Sequence, residues 1–439
     1  MEAKLVIKNF GSIHSVDLHL GNVNVLIGDK EDDNSTIAKI LAIVKMTKNV
    51  FEQEHELEII QTNDQKFIQA LEDYNIKTGL RKDTIIIFES SIYYIRFKPG
   101  QVEYRRKLLE VIHQLERLNA NKSEHLTELN ATLKSIFKTH RNAYRRIQEI
   151  ILPSISMSAE LMETVYTYSD HLDTIIPFLK TFEQETLTQT PVYIPAERAT
   201  LMMLNPATIK PEIPPYLNAY LETFHNSPVQ EYDLSFLQKK LKYVHNKTAK
   251  QVLYSNNKAV HLSSASTHIR NTLAILLPAI PHKHRSIIVE QPELHYFPVT
   301  QYALLKELFA ALGYDSIMAD DCIHVYTTNN PLILSAITNI LLASKELDTR
   351  QVENSTLKAG KSIRDVYNIL DAVKAIVPMF SPTVKLKAFE VKEGKSYSII
   401  DPATHLIAEN IIDEASVKLD TEFDKIINLI RQWWRIFER

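Results

Sequence analysis

Glycine is scarce in this chain: eight in 439 residues. Loops that cradle phosphate place glycine where backbone must approach an anion closely, so the scarcity argues against a glycine-rich nucleotide site. Cysteine is scarcer still. The single Cys322 excludes an internal disulfide and fits a reducing compartment. Long hydrophobic runs are missing. The longest, Leu273 to Ile280, has eight residues and contains Pro278, against about 20 apolar residues for a membrane helix. Met1 to Phe10 carries two lysines and no apolar stretch of the kind a secretory leader needs. Neither sign of charge dominates: 50 basic residues face 53 acidic ones, for a net charge of -3. No global field therefore favours nucleic acid or a membrane surface. What remains is an ordinary globular composition, 45% hydrophobic and 23% charged, in a chain long enough for two or three structural units.

Residues 4–8, 14–20 and 23–27 read as short strands, with Val16, Leu18 and Leu20 alternating with polar residues. Gly11-Ser12 and Gly21-Asn22 mark turns. Residues 36–74 read mostly as helix. Residues 84–98 read as a hairpin, with Lys98-Pro99-Gly100 as a turn. From 101 to 186 the pattern is helical and charged; Leu108, Leu109, Ile112, Leu115 and Leu118 recur at helical spacing. A strand is expected at Val192 to Pro195, then proline-rich loops around Pro206, Pro211, Pro214 and Pro215. Strands at 286–290 and 323–327 alternate with helices at 299–312 and 331–343, the order of a parallel α/β sheet. A polar loop over 345–362, a hairpin over Lys385 to Ile400 and a last helix over 413–437 complete the chain.

The strand Val23 to Ile27 ends at Gly28, and Asp29-Lys30-Glu31-Asp32-Asp33-Asn34-Ser35-Thr36 follows before an apolar helix. A P-loop at such a turn needs G-x-x-x-x-G-K-[ST]. Gly28, Ser35 and Thr36 fit; Asp33 replaces the second glycine and Asn34 the lysine. In a working P-loop that lysine reaches the terminal phosphates, and Asn34 is neutral and too short to replace it. Asp32 and Asp33 add negative charge, and one such repulsion at about 4 Å is roughly 4 kcal/mol at an effective dielectric of about 20, or about a thousandfold in affinity. A plainer reading is a structural loop in which Asn34 or Ser35 caps the helix and Asp32 or Asp33 fills the anion place at its N-terminus. A calcium loop built on Asp29, Glu31 and Asp33 lacks the glycine at position six and the distal glutamate.

Four segments, in order, carry a resemblance to ABC/SMC-like bacterial AAA-family ATPase heads related to the overcoming-lysogenization-defect family. They are Leu5 to Gly11 with Val25 to Gly28, Tyr193-Ile194-Pro195-Ala196-Glu197-Arg198, Val289-Glu290-Gln291-Pro292-Glu293-Leu294-His295, and Tyr326-Thr327-Thr328-Asn329-Asn330-Pro331. The resemblance covers most of the chain outside the helical insertion. It implies an α/β, ABC-ATPase-type head, a mixed sheet flanked by helices, with an inserted helical lobe. It divides the chain into two parts of that head, 1–100 and 191–345, split by the insertion 101–190 and followed by a hairpin and helix extension over 346–439. It places Glu290 at the metal-side acid of Walker B and Gln291 at the glutamate that handles the attacking water. Asn329 stands at the switch histidine. Leu262 to Arg270 holds the signature position, with Ser266 and with His268 where the family has glycine. An amide at Gln291 accepts no proton, and losing a general base typically costs about 10²–10⁴ in rate.

The implied reading is a catalytically inactive homologue, a scaffold, sensor or regulatory subunit in a bacterial cytoplasm, with no cofactor. Its partner would be a protein: itself, an active ATPase paralogue, or an effector nuclease or toxin, as a dimer or larger assembly in an anti-phage or anti-plasmid defence complex. The alternative is a divergent ATPase gating DNA binding or a partner nuclease. It would hold ATP with Mg²⁺ at Ser35 and Glu290, and would need Lys30, Lys39 or Arg198 to replace the lysine. Arg105, Arg106 and Lys107, with Lys134, Lys138, Arg141, Arg145 and Arg146, read as a solvated helix face or, more sharply, a nucleic-acid face. His282 and His284 flank Lys283 in a loop with no supporting metal ligand nearby. Ile426, Leu429, Ile430, Trp433 and Phe437 form a stripe suited to docking on the core, with Trp434 off it as a partner contact.

Overall fold

A computed structural model describes residues 3–46, 59–120, 122–151, 171–201, 213–245, 251–255, 258–314, 322–346, 371–374, 376–381, 384–413, 417, 421–425 and 427. The expected mixed sheet flanked by helices is observed. Twelve strands make one sheet. Its antiparallel half holds β1 (Ala3–Phe10), β2 (Ile13–Leu20), β4 (Ile59–Thr62), β5 (Ile85–Glu89), β6 (Tyr94–Lys98) and β7 (Gln101–Arg105). Its parallel half runs β15 (Leu386–Lys392), β3 (Val23–Gly28), β14 (His324–Thr327), β13 (Ile287–Glu290) and β8 (Val192–Ile194). β16 (Lys395–Ser398) joins the halves, antiparallel to β15 and parallel to β2.

β3 sits between β14 and β15, and every residue in it is buried. Its one internal polar residue, Asn24, is fully satisfied: Oδ1 accepts from Gly21 N at 2.8 Å, and Nδ2 donates to the carbonyls of Gly21 (3.0 Å) and His324 (3.2 Å). That pairing lets an amide occupy a central strand without the penalty of an orphan polar group. Gly21 itself cannot be replaced cheaply, because a Cβ there would lie 2.3 Å from the Lys385 carbonyl oxygen.

Helix α1 (Glu31–Lys45) leaves β3 and buries Ile37, Ala38, Ile40, Leu41, Ala42, Ile43 and Val44. α2 (Gln65–Asp73) follows β4. After β7 the chain forms α3 (Lys107–Ala120), α4 (Lys122–Thr139), α5 (Arg141–Ile151) and α6 (Leu172–Leu187), then returns to the sheet at β8, which the short helix α7 (Arg198–Leu201) follows. The leucine and isoleucine stripe of α3 is buried as its spacing requires. Arg106, just before α3, is buried in a two-pronged ion pair with Glu183 of α6. Arg105 pairs with Glu110, Lys107 with Glu89, and Arg146 with Glu185. Four of the basic residues offered above as a nucleic-acid face are thus held by carboxylates.

The strand readings at 4–8, 14–20, 23–27, 192–195, 286–290, 323–327 and 385–400 hold, as do the helices at 299–312 and 331–343. Three readings need correction. Residues 101–105 are β7 rather than the start of a helical region, since Lys98-Pro99-Gly100 turns β6 back onto a third strand. The stretch 36–74 contains the strand β4. Pro215, read as loop, is the first residue of helix α8 (Pro215–His225), a position where its missing N–H costs nothing. A second sheet of β9 (Glu231–Asp233), β10 (Leu241–His245), β11 (Gln251–Ser255) and β12 (Lys258–His261) was not anticipated. The tail stripe and Trp434, and most of the 345–362 loop, lie outside the described residues.

Candidate functional site

Three parallel strands, β3, β13 and β14, end side by side, with the edge strand β8 beside β13. Ligand crevices in α/β sheets form outside such carboxyl ends. Here a cavity of about 220 Å³ is lined by Asp32, Asn34 and Ser35 after β3, Ala196 and Glu197 after β8, Glu290 and Gln291 from β13, and Thr327, Thr328 and Asn329 from β14. The fold therefore brings Asn34, Ser35, Glu290, Gln291 and Asn329 together, as their positions in the chain implied.

The turn after β3 is not an open loop. Only Asp29 and Lys30 separate Gly28 from the first helical residue, Glu31. Lys30 is the N-cap and makes no side-chain cap bond. The expectation that Asn34 or Ser35 caps the helix is corrected: both lie within its first turns. Helical winding begins so early that no extended segment is left to wrap an anion.

Asn34, at the lysine position, is buried and folded back over Gly28. With its amide oriented by its hydrogen-bonding surroundings, the nitrogen donates to the Ile27 carbonyl at 3.3 Å and the oxygen accepts from Gly28 N at 3.0 Å. Asn329 Oδ1 reaches the same Gly28 N–H at 3.2 Å. Asp33 is buried as well, and its Oδ1 accepts from the Ser12 hydroxyl on the far side of the turn. Asp33 does not line the cavity, whereas Asp32 does.

Glu290 is surrounded by donors. Its Oε1 accepts from the Ser35 and Tyr193 hydroxyls, each at 2.6 Å, and its Oε2 from Ala196 N at 3.3 Å. Burial, and then the neighbouring Glu290 charge, push the Tyr193 hydroxyl well above its ordinary pKa, so it stays a donor. Gln291 has a left-handed backbone, φ +42. It is pinned by its N–H to the Thr327 carbonyl at 3.0 Å and by its carbonyl to Arg198 Nη2 at 2.6 Å. Behind it, Glu293 accepts from the Thr328 hydroxyl at 2.6 Å, and burial raises its carboxyl above the usual range.

Of the cations offered to replace the lysine, Arg198 is buried and its guanidinium donates to the carbonyls of Pro195, Glu290 and Gln291. Lys39 lies 4.9 Å over the ring of Tyr216 and lines a separate 400 Å³ cavity with Ser12, Asp32, Ser35 and Thr36. Lys30 is exposed. Among the described residues the 220 Å³ cavity is lined by three carboxylates and no cationic side chain. Ser266 and His268 stand at the start of α9 (Thr267–Ala279), their side chains 3.5 Å apart, and neither lines this cavity. Tyr193, Glu197 and Thr328 were not singled out as site residues. The Tyr193–Arg198 segment was visible as a motif, but nothing in it told that its tyrosine faces Glu290. His282 Nδ1 lies 2.9 Å from the Pro278 carbonyl, closing its own turn.

Among the described residues no helix is long and apolar enough to cross a membrane. No protein-family model and no curated protein matches the chain. Among solved structures it is similar to the Smc head bound to the C-winged helix domain of ScpA, at TM-score 0.36 and 8% identity over 91% of this chain and 97% of that one. It is also similar to the SMC head domain from Thermotoga maritima, at TM-score 0.33 and 8% identity over 91% and 98%. A third is the Smc head domain with an extended coiled coil bound to the C-terminal domain of ScpA, derived from Pyrococcus furiosus, at TM-score 0.29 and 8% identity over 96% and 99%. Likenesses this distant carry nothing about activity; the strand order and the cavity above stand on their own.

Proposed function

We propose that this protein is a catalytically inactive homologue of ABC/SMC-like ATPase heads, acting in the cytoplasm as a scaffold, sensor or regulatory subunit through protein contacts. The observation that carries the reading is Asn34. The side chain at the lysine position is neutral and folded onto Ile27 and Gly28, and it opens onto a cavity whose charged walls are all acidic among the described residues. A triphosphate there would meet Asp32, Glu197 and Glu290 without a compensating cation. Gln291 and Asn329 offer amides where the resemblance puts a general base and a switch histidine. Mg²⁺-ATP is thus not expected to bind tightly. Phe297 and Val299, 84% and 82% exposed where the chain leaves β13 and enters the helix Pro298–Leu312, favour a protein partner at the same end of the sheet. That partner is a second copy, an active paralogue or an effector; a defence role follows only from the resemblance.

Titrating the full chain with fluorescent ATP and magnesium tests this. No saturable binding is expected up to about 1 mM, a free energy weaker than about −4 kcal/mol. Micromolar affinity that Glu290→Ala abolishes would establish the alternative, a divergent ATPase gating DNA or a nuclease. One observation favours that alternative: the 2.6 Å Ser35–Glu290 contact keeps together the two side chains a bound Mg²⁺ would need.

A further inference from the structure

Residues 129–148 contain no Asp or Glu but hold five cations: Lys134, Lys138, Arg141, Arg145 and Arg146. In a protein of net charge -3 this is a local field of one sign. Folding sharpens it. α4 and α5 meet at His140 with little loss of winding: His140 N donates to the Ile136 carbonyl at 2.7 Å, and Tyr144 N to the His140 carbonyl at 3.0 Å. Lys134, Lys138, Arg141 and Arg145, at i, i+4, i+7 and i+11, therefore share one face, and all four are exposed. Arg146 turns aside to Glu185. Among the described residues no ion pair takes Lys134, Lys138 or Arg141; the lobe's Glu110, Glu116, Glu183 and Glu185 are each engaged by another cation.

The rest of the same helices narrows the choice of polyanion. Leu129, Leu133, Ile136, Phe137, Ala143 and Ile147 are all buried. A helix that lies in a membrane surface must offer such side chains to lipid, and these are spent on the lobe's own core. A single strand is held by stacking its bases on rings. Tyr144, next to Arg145 in the chain, is half-buried, with its ring 5.0 Å from that of Phe137. The face thus offers charge without a stacking platform. From Lys134 to Arg145 it runs about 16 Å at 1.5 Å per residue. A duplex carries one phosphate per about 3.4 Å of each strand, so the row can follow several of them.

We propose that this face of the helical lobe binds the phosphate backbone of a nucleic-acid duplex, without sequence preference and without ATP. Lys134, Lys138 and Arg141 each neutralise a phosphate and release its counterions. The inference is independent of the nucleotide reading above. The cavity at Glu290 plays no part in it, and the resemblance to ATPase heads stops short of this insertion.

The test is fluorescence anisotropy of labelled duplexes of about 20 base pairs, titrated with the full chain without ATP; a dissociation constant of about 1–100 μM is expected at physiological salt. Three phosphate contacts make the affinity fall roughly 40-fold between 50 and 200 mM salt. A DNA and an RNA duplex of one mixed sequence should bind within about tenfold of each other, since backbone contacts carry no base information. The triple variant Lys134→Gln, Lys138→Gln, Arg141→Gln should weaken binding about tenfold or more and flatten the salt dependence. All three side chains are exposed, so the fold should survive. The control Lys98→Gln, Lys258→Gln, Lys395→Gln removes the same charge from exposed positions in β6, β12 and β16 and should leave binding unchanged. Absence of duplex binding at low salt with about 100 μM protein overturns the proposal. So does a folded triple variant that binds as before, or equal or tighter binding to polyglutamate, to phosphatidylserine vesicles or to the single strand.

Discussion

Arg198 helps to hold the floor of the cavity. Its guanidinium bridges the carbonyls of Pro195 at 3.0 Å, Glu290 at 2.5 Å and Gln291 at 2.6 Å, joining the segment after β8 to the end of β13. Burial lowers its pKa, and nearby tyrosines and carboxylates oppose that. A lysine cannot span three acceptors in one plane. Arg198→Lys should therefore cost about 2–5 kcal/mol, read in urea denaturation, because buried carbonyls lose their donors. A loss below about 1 kcal/mol would mean the bridge is dispensable. The sequence marked Arg198 as a stand-in for the missing lysine because a cation at the end of a strand looks the same whether it faces a ligand or its own backbone. Asn34 was legible as a substitution but not as a side chain folded onto Gly28. That depends on the helix winding from Glu31, which no local pattern announced. His324 shows residue-scale chemistry of another kind. It is buried beside Tyr314, with Nδ1 2.5 Å from that hydroxyl and Nε2 3.0 Å from the Arg285 carbonyl, and burial lowers its pKa from 6.5 to about 4. The unfolded chain then binds the proton more readily than the fold does. Stability should be full above about pH 6.5 and fall by roughly 3 kcal/mol as pH drops to about 4. His140, lowered likewise to about 4 by burial, adds to the same fall, while the raised carboxyl of Glu293 opposes it near its lower end. Denaturation midpoints at pH 7, 5.5 and 4 should show the decline, and His324→Gln should flatten it; an unchanged slope would place the titration elsewhere.

At the scale of elements, the helical lobe is fastened to the sheet by the Arg106–Glu183 pair, whose side chains are only 5% and 1% exposed. Removing one member leaves the other charged and buried, so Glu183→Ala should destabilise the fold by about 3–5 kcal/mol, seen as a lower urea midpoint. Replacing both with apolar residues of similar size should restore most of that, because the cost lies in the stranded charge. Recovery no better than the single variant would show that the pair does more than satisfy itself. The parallel strands were readable because each is a short apolar run bounded by polar turns, as in Ile287–Glu290 and His324–Thr327. β7 was not, because Gln101–Arg105 buries only Val102 and Tyr104 and runs without a break toward a helix. β12 is exposed along its whole length and so shows no alternation to detect. α8 was hidden by the prolines at its start, which read as loop although Pro215 sits at a helix N-terminus.

For the whole molecule, the cavity decides whether ATP can be a thermodynamic input. A ligand that binds only the folded chain raises its stability by RT ln(1 + [L]/Kd). At about 5 mM ATP, a Kd near 10 μM would add roughly 3.7 kcal/mol and shift the melting temperature by several degrees. With Asn34 turned inward and Asp32, Glu197 and Glu290 facing the cavity, the expected shift is under about 1 °C. The same reasoning reaches assembly. A ligand can move an association equilibrium only as far as it binds the two states differently, so a ligand that binds neither moves nothing. Sedimentation of the full chain should therefore give the same distribution of species with and without Mg²⁺-ATP, whatever its oligomeric state. A nucleotide-dependent dimer would require phosphate contacts that outweigh the carboxylates of Asp32, Glu197 and Glu290. Its appearance, together with loss of the effect in Glu290→Ala, would overturn the proposed inactivity and favour a divergent ATPase.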